Sequence, residues 1–254
     1  MSVDIDPLVR PRLDSAGRPA QSPAWEAART AAVQPGAPTA WLPFTVTRVR
    51  SEDDLLAAVS VRLAAYARHV PDLARQLQTP EPADLLTDTV ILLARSKLDG
   101  SPLGTMRFQT NEHGPLPIEH SVPLPYRLTH RRLAEATRLG VTASSQGRLV
   151  KMALFKAFYL HCQQAGVDDM VIASRSPLDR HYRQLLFVDV FEPGFQVPLR
   201  HAANLPHAIL RFEVGTAYQR WCAARHPLTD FMSHTAHPDL LGVGAPAAAP
   251  SAAH

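Results

Sequence analysis

Glu135 and Arg138 stand three residues apart in the stretch LAEATRLGV (Leu133 to Val141). A carboxylate and a guanidinium in one cleft can move a proton and hold an anion. Spacing alone does not bring them together. In a regular strand, residues three apart point to opposite faces, whereas a bulge between them aims both the same way. In the alternative, Glu135 faces a cleft and Arg138 pairs on the outside. Other candidates flank this pair. Arg62 lies among Leu55, Val59, Leu63 and Tyr66 at helical spacing, either snorkelling to the surface or buried for function. Arg107 shares a strand face with Thr105, opposite Met106 and Phe108. Tyr182 falls between Arg180 and Arg183, and Asp84 and Asp88 precede an apolar run. His234 and His237 are three apart with no third ligand in view, so no metal is implied.

The elements that must position these groups are readable. LAEATRLGV is a strand, TASSQG (Thr142 to Gly147) a polar turn, and RLVKMALFKAFYLHCQQAG (Arg148 to Gly166) a long amphipathic helix. DDMVIAS (Asp168 to Ser174) follows as a second strand and PLDRHYRQLLF (Pro177 to Phe187) as a short helix. This is a βαβ unit with parallel strands and a right-handed crossover. The start of its helix borders a cleft, read as the active site. Leu149, Met152, Phe155 and Tyr159 fall at core spacing, with Arg148, Lys151 and Lys156 toward the helix start and on its outer surface.

Upstream, FTVTRVRS alternates as a half-buried strand, and SEDD opens a helix with a Ser N-cap and acids in its first turn. TVILLARS and SPLGTMRFQT form a hairpin about the Asp99-Gly100 turn. The Pro-studded segment 111–130 is too long for a plain connector and reads as a wall of the substrate site. VDVFEPGFQVPL and PHAILRFEVG give two more strands, GTAYQRWCAARHPLTDFM a helix, and HTAHPDLLG an irregular tail. Residues 1–43 form a Pro- and Ala-rich flexible arm that Trp25 and Trp41 could pin, 44–241 the folded domain, and 242–254 a disordered tail.

The 254 residues suit one well-buried domain with appendages. The formal charge of +3 shows no basic stripe, which argues against a nucleic-acid partner. With only Cys162 and Cys222, no disulfide framework is expected, and a reducing cytoplasm fits best. There is neither a transmembrane-length apolar run nor the layout of a secretory signal.

A mixed sheet in this order resembles the GNAT acyltransferase fold, an α/β (α+β) architecture. The strings GTMRF, EATRLGV, VIASRSPLDRHYRQLLF, LPHAILRFEV, RWCAARHPLTDFM and HTAHPDL are similar, in order, to the FeeM-type N-acyl amino acid synthases. These are relatives of the acyl-homoserine-lactone synthases. The resemblance spans about 44–241. It implies transfer of a long-chain fatty acyl group from acyl carrier protein to the α-amine of an amino acid. No cofactor is tightly bound; the donor is a 4'-phosphopantetheine thioester, with acyl-CoA as a substitute.

By the same resemblance Glu135 is the base, and Arg138 and Arg107 orient it or hold the acceptor carboxylate. Arg62 walls the acceptor pocket, and backbone N–H groups near Gly140 and Val141 take the oxyanion. Tyr182 protonates the leaving thiolate or else only packs. The turn before the long helix has one glycine where acetyl-CoA-using relatives carry a Gly-rich cradle, which favours a carrier-held donor. Arg148, Lys151, Arg175, Arg180 and Arg183 form a docking patch for an acidic carrier, or a solvated charged face. Transient membrane contact through a lipid product is expected. Asp84 and Asp88 match the lactone synthases' acidic pair only loosely, which disfavours S-adenosylmethionine as acceptor. Two alternatives stay open: an autoinducer synthase, and a non-catalytic carrier- or lipid-binding module.

Overall fold

A computed structural model describes residues 37–242. Trp25, most of the expected arm and nearly all of the expected tail lie outside the described residues. The elements run β1 (Phe44–Arg48), α1 (Glu52–Ala67), β2 (Thr89–Ser96), β3 (Pro102–Thr110), β4 (Leu133–Val141), α2 (Gly147–Ala165), β5 (Asp169–Ser174) and α3 (Asp179–Gln184). They continue with β6 (Val188–Asp189), β7 (Val197–Leu199), β8 (Leu205–Glu213), α4 (Ala217–Ala223) and β9 (Leu240–Leu241). The sheet has the order β6-β8-β5-β4-β3-β2-β1-β9, with β7 also on β8. Among the named strands, β4–β5 and β1–β9 pair in parallel and the rest antiparallel.

Local chemistry explains the boundaries. Ser51 Oγ accepts from Asp54 N at 3.2 Å and starts α1. Gly166, at φ 69°, ends α2 in the left-handed conformation that suits glycine. Alternation along β3 and β4 divides the sheet faces. Met106, Phe108 and Ala134 join Phe155 and Phe158 of α2 in one core. Leu133, Val171 and Ile209 join Leu116, Ile118 and Leu128 of the 111–130 segment in a second. Two glycines let helices close on the sheet. A Cβ on Gly104 would lie 2.5 Å from Val150 Cγ1, and one on Gly140 would lie 3.0 Å from Ala65 Cβ. Gly104→Ala is therefore expected to cost about 1–3 kcal/mol through overpacking, read as a lower chemical-denaturation midpoint.

Three expectations need correction. Lys156 is not on the outer surface of α2 but fully buried, and Leu149, placed with the core, is exposed. Lys156 Nζ donates to Phe231 O and Thr235 O, each at 2.6 Å, and meets His237 Nδ1 at 2.9 Å. Nor is the HTAHPDLLG stretch wholly irregular: β9 pairs with β1, and Asp239 accepts from Leu42 N at 2.7 Å. Thr39 likewise bridges to Ala236, so the last residues before 44 run beside this returning strand. Lys156 thus pins the returning chain to α2. Burial lowers its pKa to about 8. The folded state then binds fewer protons than the unfolded chain between about pH 8 and 10.5, and this group's contribution to stability rises with pH across that window. In Lys156→Met that rise should vanish from a pH series of melts, while two unpaired carbonyls cost about 1–3 kcal/mol each.

Among the described residues, no helix is long and apolar enough to cross a membrane.

Candidate active site

The ladder between β3 and β4 pairs Thr105 with Gly140 but Arg107 with Thr137. Arg138 and Leu139 therefore both oppose Met106, a bulge on β4 at the expected place. Arg138 sits at φ 53°, which few non-glycine residues adopt. The extra residue sends the Arg138 side chain to the α1 side of the sheet, where Glu135 and Thr137 already point. Leu139 falls back onto the α2 core. Glu135 and Arg138 both lie buried on that side.

They do not hydrogen-bond each other. Arg138 grips Glu81 with Nε–Oε2 at 2.7 Å and Nη2–Oε1 at 2.6 Å. Its Nη2 also donates to the backbone carbonyl of His201 at 2.6 Å. Arg62 is fully buried rather than snorkelling, and is bidentate to Asp84 at 2.9 and 3.1 Å. Arg107 Nη1 bridges Glu81 and Asp84 at 3.1 and 3.0 Å, and its Nε donates to Thr137 Oγ1 at 3.1 Å. Three guanidiniums thus share two carboxylates, leaving this network one positive charge in excess. Burial works to raise the pKa values of Glu81 and Asp84, but the guanidiniums overcome it and hold both below normal.

Glu135 is the opposite case. It is fully buried, and desolvation lifts its pKa to about 8 against the pull of Ile118 N, Arg107 and Arg138. Ile118 N donates to Oε2 at 2.8 Å, which sets the 111–130 segment against Glu135. Among the described residues Oε1 has no hydrogen-bond partner. The nearest basic atom among them is His201 Nε2, at 3.9 Å. Burial, then Arg138 and Arg107, push His201 down to about 4, so its ring is neutral at ordinary pH.

β4 and β5 pair only from Leu133↔Asp169 to Ala136↔Ile172, and β4 then runs on unpaired on that side to Val141. Thr142 N donates to Leu103 O at 2.9 Å. Antiparallel alternation therefore turns the Val141 N–H and C=O away from β3, into the gap. The carbonyl is taken by Arg68 Nη2 at 2.7 Å. Gly140 lies against Arg62 Cα and Ala65 of α1, so its role is close approach. Tyr182 packs edge-on to Phe187 at 5.7 Å, and burial, with Tyr66 nearby, holds its phenol protonated. Tyr66 also lies against the Arg138 guanidinium.

The basic residues form a looser set. Arg148 and Arg180 are exposed, and Arg175 and Lys151 are half-buried. Arg183 is committed to Asp189, at 2.5 and 2.8 Å. Asp88 takes no part in the hydrogen bonds of the network, whereas Asp84 is at its heart. Sequence reading missed Glu81, Tyr66 and His201. Glu81-Pro82-Ala83-Asp84 carried a signal, since an acid three residues after a helix start can reach back to it; Glu81 N donates to Asp84 Oδ2 at 2.8 Å. His201 carried none, because only a loop 63 residues from Arg138 brings it in. Among the described residues, no group of three or more His, Cys, Asp or Glu is placed to hold a metal.

Comparison with solved structures places this architecture. It is similar to FeeM, an N-acyl amino acid synthase from uncultured soil microbes, at 14% identity and TM-score 0.53, covering 74% of this chain and 97% of that one. It is also similar to BjaI, a CoA-dependent acyl-homoserine lactone synthase, at 17% identity and TM-score 0.50, covering 76% and 93%. A GNAT-family protein from Desulfovibrio desulfuricans, described as an acetyltransferase, aligns at 14% identity and TM-score 0.48 over 67% of this chain and 99% of its own. The mixed α/β sheet flanked by helices is the fold expected from the sequence, and it is shared with FeeM and BjaI. No curated protein matches the chain. The sequence model for the N-acyl amino acid synthase FeeM matches residues 57–209, more than half of the chain and all the network residues. The chain belongs to the FeeM N-acyl amino acid synthase family.

Proposed function

We propose that this N-acyltransferase moves a long fatty acyl chain from acyl carrier protein to the α-amine of an amino acid. The observation that carries the reading is the buried Glu135 carboxyl beside a guanidinium network with one positive charge in excess. A zwitterionic amino acid complements both. Its carboxylate meets the network's excess charge, and its ammonium comes within reach of Glu135. The arriving ammonium favours the ionised carboxylate, and a base with a pKa near working pH is well matched to the task.

The ammonium proton passes to Glu135 and the freed amine attacks the thioester carbonyl. As the C–N bond forms, charge gathers on the carbonyl oxygen, and the Val141 N–H in the β4–β5 gap is the nearest donor we assign to it. The C–S bond then breaks as the nitrogen loses its second proton; Tyr182, with its phenol kept protonated by burial, gives its proton to the sulfur, and the proton shed by nitrogen restores the phenol. Arg62 and Arg107 hold the acceptor pocket in shape.

For the donor, the support is chemical. Gly147, the lone glycine of the turn, spends its N–H on Ser144 O at 3.1 Å, which leaves a poor cradle for a pyrophosphate. Arg148, Lys151, Arg175 and Arg180, with exposed Leu149 and Leu178, suit an acidic carrier with an apolar centre to its docking face. Arg183 is the weakest member of that patch, being paired already.

Purified protein supplied with long-chain acyl carrier protein or acyl-CoA, and with each amino acid in turn, tests this by mass spectrometry. N-acyl amino acid formed preferentially from the carrier-bound donor is the expected product. Arg148→Glu with Arg180→Glu should lower kcat/KM for the carrier substrate and spare that for acyl-CoA. Acylation of S-adenosylmethionine alone, or of no amine at all, would discard the reading.

A further inference from the structure

We propose that His201 is a positioning residue for Glu135, its imidazole Nε2–H closing onto the free Oε1 oxygen as the carboxyl gives up its proton. The inference rests on Glu135 being the base, and it assigns the group that makes the ionised form tolerable.

The carboxyl has two oxygens and uses one. Oε2 is held by Ile118 N, while Oε1 is buried with no partner. A protonated carboxyl tolerates this; an ionised one leaves a charged, desolvated oxygen unpaired, which is costly. Nε2 of His201 stands 3.9 Å away, about an ångström longer than a typical hydrogen bond. Among the described residues Nδ1 of the same ring is buried without a hydrogen bond, and the Pro117 carbonyl also lies close to the imidazole; the tautomer that serves Oε1 carries the ring proton on Nε2, the nitrogen facing it.

Two turns hold the pair together. Arg200–Ala202 forms a single helical turn, followed by Ala203 and Asn204, both at φ 55°. Asn204 N closes back on Leu199 O at 2.9 Å. Arg200 N donates to Ser121 Oγ at 3.0 Å, which joins this turn to the one that supplies Ile118 N. Arg138 Nη2 takes the His201 carbonyl at 2.6 Å while gripping Glu81. The bulged arginine is therefore a strut. It does not orient Glu135 directly; it fixes the backbone of the residue that meets Glu135.

Other groups face the pair from every side. Arg107 on β3 and Arg138 on β4 favour an ionised Glu135, and Glu119 of the 117–120 turn opposes it. His207 on β8 adds to the cationic field at His201, and a backbone contact from Pro117 opposes that field. All but the Pro117 contact, which is made to the ring itself, remain in place when the imidazole alone is removed.

The test is the pH profile of kcat/KM for wild type, His201→Ala, His201→Gln and Glu135→Gln, each variant first checked for a cooperative thermal melt. Losing a neutral donor to the ionised carboxylate should move the basic-side rise upward by about one pH unit in His201→Ala. The loss of activity at pH 7 should be about tenfold and largely recovered near pH 10. His201→Gln, which keeps an N–H of similar reach, should restore part of the shift. Should Ala fail to fold, the Gln profile and His201→Asn, with a shorter N–H, provide the same comparison. An unchanged or lowered midpoint in folded variants overturns the His201 assignment while leaving Glu135 as base. Glu135→Gln with near-wild-type turnover overturns the base assignment itself, and the two failures are distinct.

Discussion

Glu135→Gln is expected to lower acyl transfer by about 10²–10⁴-fold, the range for loss of a positioned general base. It should not weaken the fold. Glutamine keeps the length of the side chain and an oxygen for Ile118 N, now 2.8 Å from Oε2. The pH dependence separates this from ordinary damage. In the folded protein the carboxyl titrates near 8 because it is desolvated, against about 4.5 when exposed. Between those values the native state holds a proton that the unfolded chain has released. Wild-type stability therefore falls as pH rises through that window and levels off above about 8. The full penalty is of the order of 5 kcal/mol by linkage, an upper limit because local relaxation softens it. The amide carries no such penalty. Melting temperatures of the two proteins should be closest near pH 5 and diverge in the variant's favour toward pH 8. The variant losing stability relative to wild type on that climb would mean that the carboxylate, and not the acid, is the folded form.

Asp84→Leu is expected to destabilise the protein by about 3–5 kcal/mol, the cost of leaving buried charges without their partner. Asp84 is the bidentate partner of Arg62 at 2.9 and 3.1 Å and also serves Arg107 at 3.0 Å. Its loss leaves three buried guanidiniums around Glu81 alone. The native network holds Asp84 and Glu81 below their normal pKa values, so its stabilisation is complete above the unfolded carboxylate range and is lost as pH falls through the folded values. Wild type should accordingly show an acid limb in a pH series of denaturation midpoints, and Asp84→Leu should show a smaller one. A double variant, Asp84→Leu with Arg62→Met, should recover much of the loss, because it removes an orphaned charge as well as its partner. Failure of that rescue would place the energy in packing and not in charge.

Some of this was open to inspection in the chain itself. Period-two alternation set β3 and β4, because a half-buried strand must show one apolar face; Met106 and Phe108 opposite Arg107 follow from that alone. Ser51 before three acids marked the start of α1, and Gly166 marked the end of α2, since each answers a local backbone need. Glu135 and Arg138 were recognisable as a pair, and a bulge was the one device able to unite them.

What the chain could not disclose was which groups that bulge would meet. Glu81 reaches Arg138 across 57 residues, and His201 lies 63 residues beyond Arg138. Lys156 on its helix had the spacing of a surface residue until a strand 81 positions later returned to cover it. Periodicity reports on neighbours one turn or one pleat away. Charge pairing and desolvation depend on what the folded chain brings alongside from elsewhere. The residue types at this site were thus settled by sequence, while their protonation, partners and burial were decided by the tertiary structure.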